Sequence, residues 1–278
     1  MKIVISAEST IDLTKELLKE YDIKTIPFSI LLGEKLMLDG DMQPTEIFDY
    51  VDKNKVLPKT STVNEYQYEE YFKELLTKGD AVIHFALSKD MSSSCNNAIT
   101  ASEKLKNVHI VNTKSLSTGI ALLAIKAATL AKEGKSVEEI LSVINKAVDK
   151  VQASFIIDKL DYLRKGGRCS AIAVFGANLL KIHPQILVKN GKMSPAKKYR
   201  GNYDVCVKQY CTDTLEEFSN IDNSLAFVTC TTAKEETIAY AEEALKNAGF
   251  KKVYRTNAGA TISSHCGPNT LGILFLTV

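Results

Sequence analysis

The sequence predicts a two-domain α/β protein, with an amino-terminal, mostly parallel sheet flanked by helices and a carboxy-terminal α/β domain with antiparallel pairing. Two patterns carry this reading. Up to about residue 155, short apolar runs alternate with stretches of helical length, the rhythm of strands joined by crossover helices. Beyond it that rhythm breaks, and Asn190-Gly191 between two alternating runs signals a hairpin. The division falls as 1–155 and 156–278. A chain of 278 residues with 45% apolar content can build cores of that size.

The elements follow in order. Lys2 to Ser6 reads as a buried strand, and Ser9-Thr10-Ile11-Asp12 as a capping start for a helix through about Tyr21. Ile23 to Leu32 reads as a strand broken by Pro27. Asp39-Gly40-Asp41 is a turn, and Pro44 suits the first turn of a helix through about Lys53. Lys59 to Asn64 reads as a polar loop before a helix from Glu65 to Thr77. Ala81 to Leu87 is a strand, Ser92 to Leu105 a helix and Val108 to Val111 a strand. Helices are expected over Gly119 to Lys132 and Ser136 to Ala153. In the second half, Ile186 to Lys189 and Lys192 to Ser194 form the hairpin arms. Ala226 to Cys230 and Leu271 to Val278 read as strands, and Thr232 to Gly249 as a helix ending on glycine. There is no internal repeat.

Composition narrows the function. A formal charge of +2 argues against a nucleic-acid partner. Tryptophan is absent, which removes a common anchor of sugar and quaternary-ammonium sites. Six cysteines without a C-x-x-C pair read as free thiols, with no metal site expected. The opening Met1 to Ser6 turns polar too soon for a signal peptide, and no apolar run nears the roughly 20 residues of a membrane span. A cytoplasmic location is expected.

Three polar clusters stand out: Thr60-Ser61-Thr62, Ser92-Ser93-Ser94 and Ser263-Ser264-His265. Loops that follow the strands of a parallel sheet converge on one edge, where ligands sit. Hydroxyls there could hold a small anion, or could merely cap the next helix. His265 has no carboxylate near it in sequence, so it reads as an anion ligand or as a structural loop histidine. A second signal is charge. From Asp161 to Tyr203 there are nine basic residues and one acidic one, Asp161 itself. That segment faces a negative partner or is a solvated face. Gly166-Gly167, lacking a Walker lysine–serine pair, ends a helix and builds no phosphate loop.

Taken together, the chain resembles the DegV family, the bacterial fatty-acid-binding proteins that serve as lipid-binding subunits of fatty acid kinase. The similarity runs over the whole chain in the family's order. It is carried by Val4 through Leu13, then Pro27-Phe28-Ser29 with Asp39-Gly40, then Lys59-Thr60-Ser61. Leu87-Ser88 through Ser94, Leu160 through Arg168 and His265-Cys266-Gly267-Pro268 complete it. Thr62-Val63-Asn64, Ser93, Cys95 and Glu8 depart from the family pattern. The resemblance implies a lipid site between or within two α/β domains, holding one long-chain fatty acid such as palmitate, stearate or oleate. It implies carboxylate contacts from Thr60 and Ser92 first, then Ser61, Ser93 and His265. It further implies no ATP site, no cofactor, and a separate ATP-dependent kinase subunit that makes an acyl phosphate for this protein to carry. Arg168, Arg164, Lys165 and Arg200 are the expected docking residues for that kinase, and an anionic membrane surface is a further transient partner. Two rivals stand beside this reading. One is a serine hydrolase or acyltransferase using Ser92 or Ser93 with His265, although a G-x-S-x-G elbow is absent. The other is a lipid carrier without a kinase partner.

Overall fold

The computed structural model of the protein describes residues 1–169, 171–172 and 181–278. The chain opens with β1 (Ile3–Glu8), α1 (Lys15–Glu20), β2 (Ile23–Ile26), β3 (Ser29–Leu32), β4 (Lys35–Leu38) and α2 (Pro44–Asn54). It continues with β5 (Lys59–Ser61), α3 (Glu65–Leu76), β6 (Ala81–Ala86), α4 (Ser94–Ser102), β7 (Val108–Asn112), α5 (Thr118–Lys132) and α6 (Val137–Ala147). Strands β2-β1-β6-β7 form the parallel sheet, as the alternating rhythm predicts.

Several boundaries differ from the sequence reading, each for a local reason. Ser9 starts no α-helix: Ser9–Ile11 makes one 3-10 turn, and Asp12 takes a left-handed conformation (φ 55°) that ends it. The helix begins at Lys15, where the Thr14 hydroxyl accepts from Leu17 N–H at 3.3 Å. The run from Ile23 to Leu32 is two strands in two sheets. Pro27 offers no N–H to the ladder, so the parallel sheet stops there and the chain turns away. β3 then pairs antiparallel with both β4 and β5 in a small sheet ordered β4-β3-β5. The stretch from Lys59 expected as a loop is therefore partly strand, with Thr60 opposite Ile30. The helix expected through Ala153 ends at Ala147, and Val151–Ile156 is a strand, β8.

That strand joins a six-stranded sheet with β9 (Ile182–Lys189), β10 (Lys192–Arg200), β11 (Ile221–Cys230), β12 (Val253–Asn257) and β13 (Leu271–Thr277). Its order is β10-β9-β8-β13-β11-β12, antiparallel except for β11 beside β12. The hairpin between β9 and β10 turns on Asn190 (φ 52°) and Gly191 (φ 82°), the paired positive φ that a two-residue turn of right-handed twist demands. Among the described residues, α7 (Leu160–Gly166), α8 (Tyr203–Glu217), α9 (Glu235–Asn247) and α10 (Ala260–Cys266) accompany this sheet. α8, β4 and β12 had no clear signal in the sequence. His265, expected in a loop, lies in the last turn of α10.

The main core lies between the two large sheets. Helix α5 packs against β1 and β6 on one side and β8, β11 and β13 on the other. Its residues Ile120 to Ile125 are all buried, as befits a helix covered on every side. The short α10 is fixed differently. The buried carboxylate of Asp12 accepts from Gly259 N–H at 2.8 Å and from the Ser117 hydroxyl at 2.5 Å. The buried carboxylate of Asp39 accepts from Ala260 N–H at 2.8 Å and the Ser9 hydroxyl at 2.9 Å. Two carboxylates thus serve the free N–H groups that open α10, where negative charge is favoured.

Asp39→Ala should therefore lower the urea midpoint by an amount equivalent to about 1–3 kcal/mol, because a buried N–H and a buried hydroxyl lose their acceptor. An unchanged midpoint would show that α10 does not depend on this cap.

Candidate functional site

The site is assembled at the mouth of a cavity walled by Phe28, Leu87, Met91 and Leu116. Thr60 and Thr62 reach it from β5 and the residue just beyond it, Ser92 from the turn before α4, and Thr261, His265 and Cys266 from α10. Arg168, just past α7, and Met193 of β10 complete the rim. Three separate parts of the chain are thereby brought together. The alternation of a strand decides which hydroxyls of the first cluster take part. Thr60 and Thr62 face the cavity, and Ser61 between them is exposed on the other side. Ser93 is likewise exposed, outside the cavity lining, at the position preceding α4.

The Thr60 hydroxyl lies 2.9 Å from His265 Nε2. Burial pushes the imidazole pKa down to about 4, and the positive charge of Arg168 adds to the effect. His265 is therefore neutral at pH 7. Its other nitrogen, Nδ1, is buried without a hydrogen-bond partner among the described residues. It packs on Gly166, where an added Cβ would lie only 2.6 Å away. A side chain at residue 166 would displace the ring, which gives this glycine a reason beyond ending a helix. Arg168 is exposed, and its Nη1–H donates to the Gly166 carbonyl at 2.8 Å. Arg164, paired with Asp161 at 2.9 Å, Lys165 and Arg200 are also exposed, and none of the three lines the cavity.

The serine loop is held from behind by Glu8, a residue the sequence reading noted only as a departure. Fully buried, Glu8 accepts from Leu87 N–H at 2.5 Å and from the Tyr68 hydroxyl at 2.7 Å. Tyr68 Oη is 2.8 Å from Ser94 Oγ, and the Ser92 hydroxyl accepts from Ser94 N–H at 3.2 Å. Burial raises the Glu8 pKa, and these hydrogen bonds oppose the rise. One acid in an opening strand with no other charged residue was the available signal for it. The hairpin turn is tied to the same region by the Ser88 hydroxyl, which donates to the Gly191 carbonyl at 2.7 Å.

A second cavity adjoins the first, and Leu116, Ile262 and Cys266 line both. The hydroxyls around the second cavity are spent on protein partners. Ser117 donates to Asp12, Thr231 to the Gly267 carbonyl, and Thr270 to the Cys266 carbonyl. Thr229 Oγ1 lies 2.6 Å from that of Thr118, and Ser154 Oγ lies 2.9 Å from Tyr210 Oη. With their polar atoms paired, these residues leave mainly hydrocarbon to face the space.

His265 Nε2 is paired with Thr60, and no carboxylate among the described residues orients Nδ1. All six cysteines are buried and free of disulfides. Among the described residues no helix is long and apolar enough to cross a membrane.

The family model described as "Uncharacterised protein, DegV family" matches residues 2–278. The chain belongs to the DegV family. A DegV domain-containing protein of Caldanaerobacter subterraneus is 29% identical over 99% of this chain and 98% of its own. Among solved structures, the fold is similar to that of a fatty-acid-binding DegV family protein from Thermus thermophilus. Its TM-score is 0.90 and its identity 24%, with both chains fully covered. DegV of Bacillus subtilis, described as a fatty acid binding protein, is 26% identical with a TM-score of 0.86, again over the whole of both chains.

The histidine sets a pH dependence. The folded-state pKa of about 4 lies below the ordinary value of 6.5, so between them only the unfolded chain takes up this proton. The His265 contribution is complete above pH 6.5 and falls away as the pH drops toward 4. Urea midpoints taken from pH 7 to 4.5 should therefore decline more steeply for the wild type than for His265→Gln. Parallel declines would contradict the buried, neutral assignment.

Proposed function

We propose that this protein binds one long-chain free fatty acid, palmitate, stearate or oleate in kind, and presents its carboxylate to a separate ATP-dependent kinase, then carries the acyl phosphate formed. The observation that carries the lipid reading is the join between a hydroxyl-and-imidazole mouth and a second space faced by hydrocarbon, with Leu116, Ile262 and Cys266 shared between them. The fatty acid binding described for the Bacillus subtilis relative supports it.

In this reading the carboxylate accepts from Thr60 and Ser92, with Thr62 and Arg168 beside it. His265 acts through Thr60. With the proton on Nε2, the ring donates to Thr60 Oγ1 and frees the threonine hydrogen for the ligand, leaving only a lone pair to rest on Gly166. A buried carboxylate needs such charge-assisted bonds in place of water. The chain then passes Leu116, Ile262 and Cys266 into the second cavity. Burial contributes about 0.8 kcal/mol per methylene, enough for a long tail to remain bound through purification. Ser61 and Ser93, on the outer side, are left to face solvent or a partner.

The kinase half of the reading rests on the mouth itself. Arg168 stands at the opening, with exposed Arg164, Lys165 and Arg200 as a basic face for an acidic partner surface. The lack of a Walker lysine–serine pair fits a subunit that relies on a partner for ATP.

Mass spectrometry of an organic extract of the purified protein should find one equivalent of a long-chain fatty acid, and Thr60→Val should bind added acid about 10-fold more weakly. An empty extract and no uptake of added acid would overturn the lipid reading. Arg164→Glu combined with Lys165→Glu should leave uptake unchanged and slow acyl phosphate formation by an added fatty acid kinase. Undiminished turnover would remove the docking face, and no turnover with the wild type would leave a carrier without a kinase.

A further inference from the structure

Thr261 lines the first cavity one turn before His265, yet the carboxylate has no need of it. The residue is only 4% exposed, and its hydroxyl has no hydrogen-bond partner among the described residues. A threonine on a helix ordinarily donates to the carbonyl four residues earlier. Here that residue is Asn257, which belongs to β12, and the bond is not made. A buried hydroxyl left alone is disfavoured by about 1–3 kcal/mol, so its retention in a cavity wall points to something that enters the cavity.

Its depth says what part of a ligand it meets. Arg168 is exposed and Ser92 half-buried, which sets the mouth on their side. Thr261 shares the interior with Phe28 and Leu116, at 4% and 5% exposure. Along α10 it stands about 6 Å from His265, four residues at the rise of an α-helix. A group bonded to Thr261 therefore belongs to the acyl chain just beyond the carboxyl carbon. Phe28, Leu87, Leu116 and Ile262 around it offer no polar alternative.

We propose that the site selects long-chain fatty acids carrying a hydroxyl near the carboxyl end, the 3-hydroxy acids, with that hydroxyl paired to Thr261 Oγ1. This rests on the fatty-acid reading and names the substrate class within it. A hydroxyl both donates and accepts, as Thr261 does, so the pair is satisfied in either direction. An unsubstituted acid fits the same space and leaves Thr261 unpaired, and a site with a buried polar group discriminates strongly against a ligand that lacks its partner.

The test is calorimetric titration of delipidated protein with hexadecanoic acid and with 3-hydroxyhexadecanoic acid, for the wild type, Thr261→Val and Thr261→Ser. The wild type should bind the hydroxy acid about 10-fold more tightly than the plain acid. Thr261→Val should abolish that preference by weakening the hydroxy acid alone, and Thr261→Ser should keep it. A wild type without the preference overturns the proposal, and so does a Thr261→Val protein that retains it or gains equally for both acids. If Thr261→Val does not fold, the wild-type and Thr261→Ser ratios decide alone. Binding of neither acid would instead defeat the fatty-acid reading itself.

Discussion

The structure depends most on how two buried carboxylates hold the start of α10. Asp12 and Asp39 come from turns near the beginning of the chain, and Gly259 and Ala260 lie near its end. A helix of seven residues with polar side chains on several faces has no stability of its own. Its place is imposed by those acceptors and by the packing around it. Burial raises the Asp12 pKa well above the ordinary carboxylate value, and the nearby Asp39 adds to the effect. The N–H groups they serve make the arrangement tolerable, since each negative group meets the positive end of a helix.

Part of the polar lining of the cavity follows from that placement. α10 carries Thr261 and His265 into the space, and Ile262 and Cys266 onto the boundary between the two cavities. Against it β5 presents Thr60, and α7 presents Gly166, whose lack of a side chain admits the imidazole. Glu8 plays the corresponding part for the serine turn, through Leu87, Tyr68 and Ser94. The hydroxyls can donate to an anion, the neutral imidazole is paired with Thr60, and among the described residues no carboxylate partners its other nitrogen.

Much of the fold is legible in the residues. The alternating runs from Ile3 to Asn112 give a parallel sheet because fully buried strands are short and apolar. Asn190-Gly191 gives a hairpin because both residues accept positive φ at little cost. The order of the hydroxyl clusters marks Thr60, Ser92 and His265, and these three do share one cavity. Other features are silent in sequence. β4 and β5 are short pieces whose pairing exists only through β3, and β8 follows α6 so closely that its first residues read as more helix. Whether Ser61 or Thr62 faces the cavity depends on strand register, which a polar run of hydroxyl residues cannot announce because either face would suit it.

The sequence by itself therefore determined the class of the fold, the position of its hairpin and the residues able to hold an anion, since these follow from periodicity, turn chemistry and side-chain type. Only the tertiary structure decided which of them meet. The cap on α10 joins residues more than 200 positions apart, and the neutral state of His265 comes from burial beneath residues remote in the chain. That the Thr261 hydroxyl finds no hydrogen-bond partner among the described residues is likewise a property of its surroundings, which no local pattern on a short helix records.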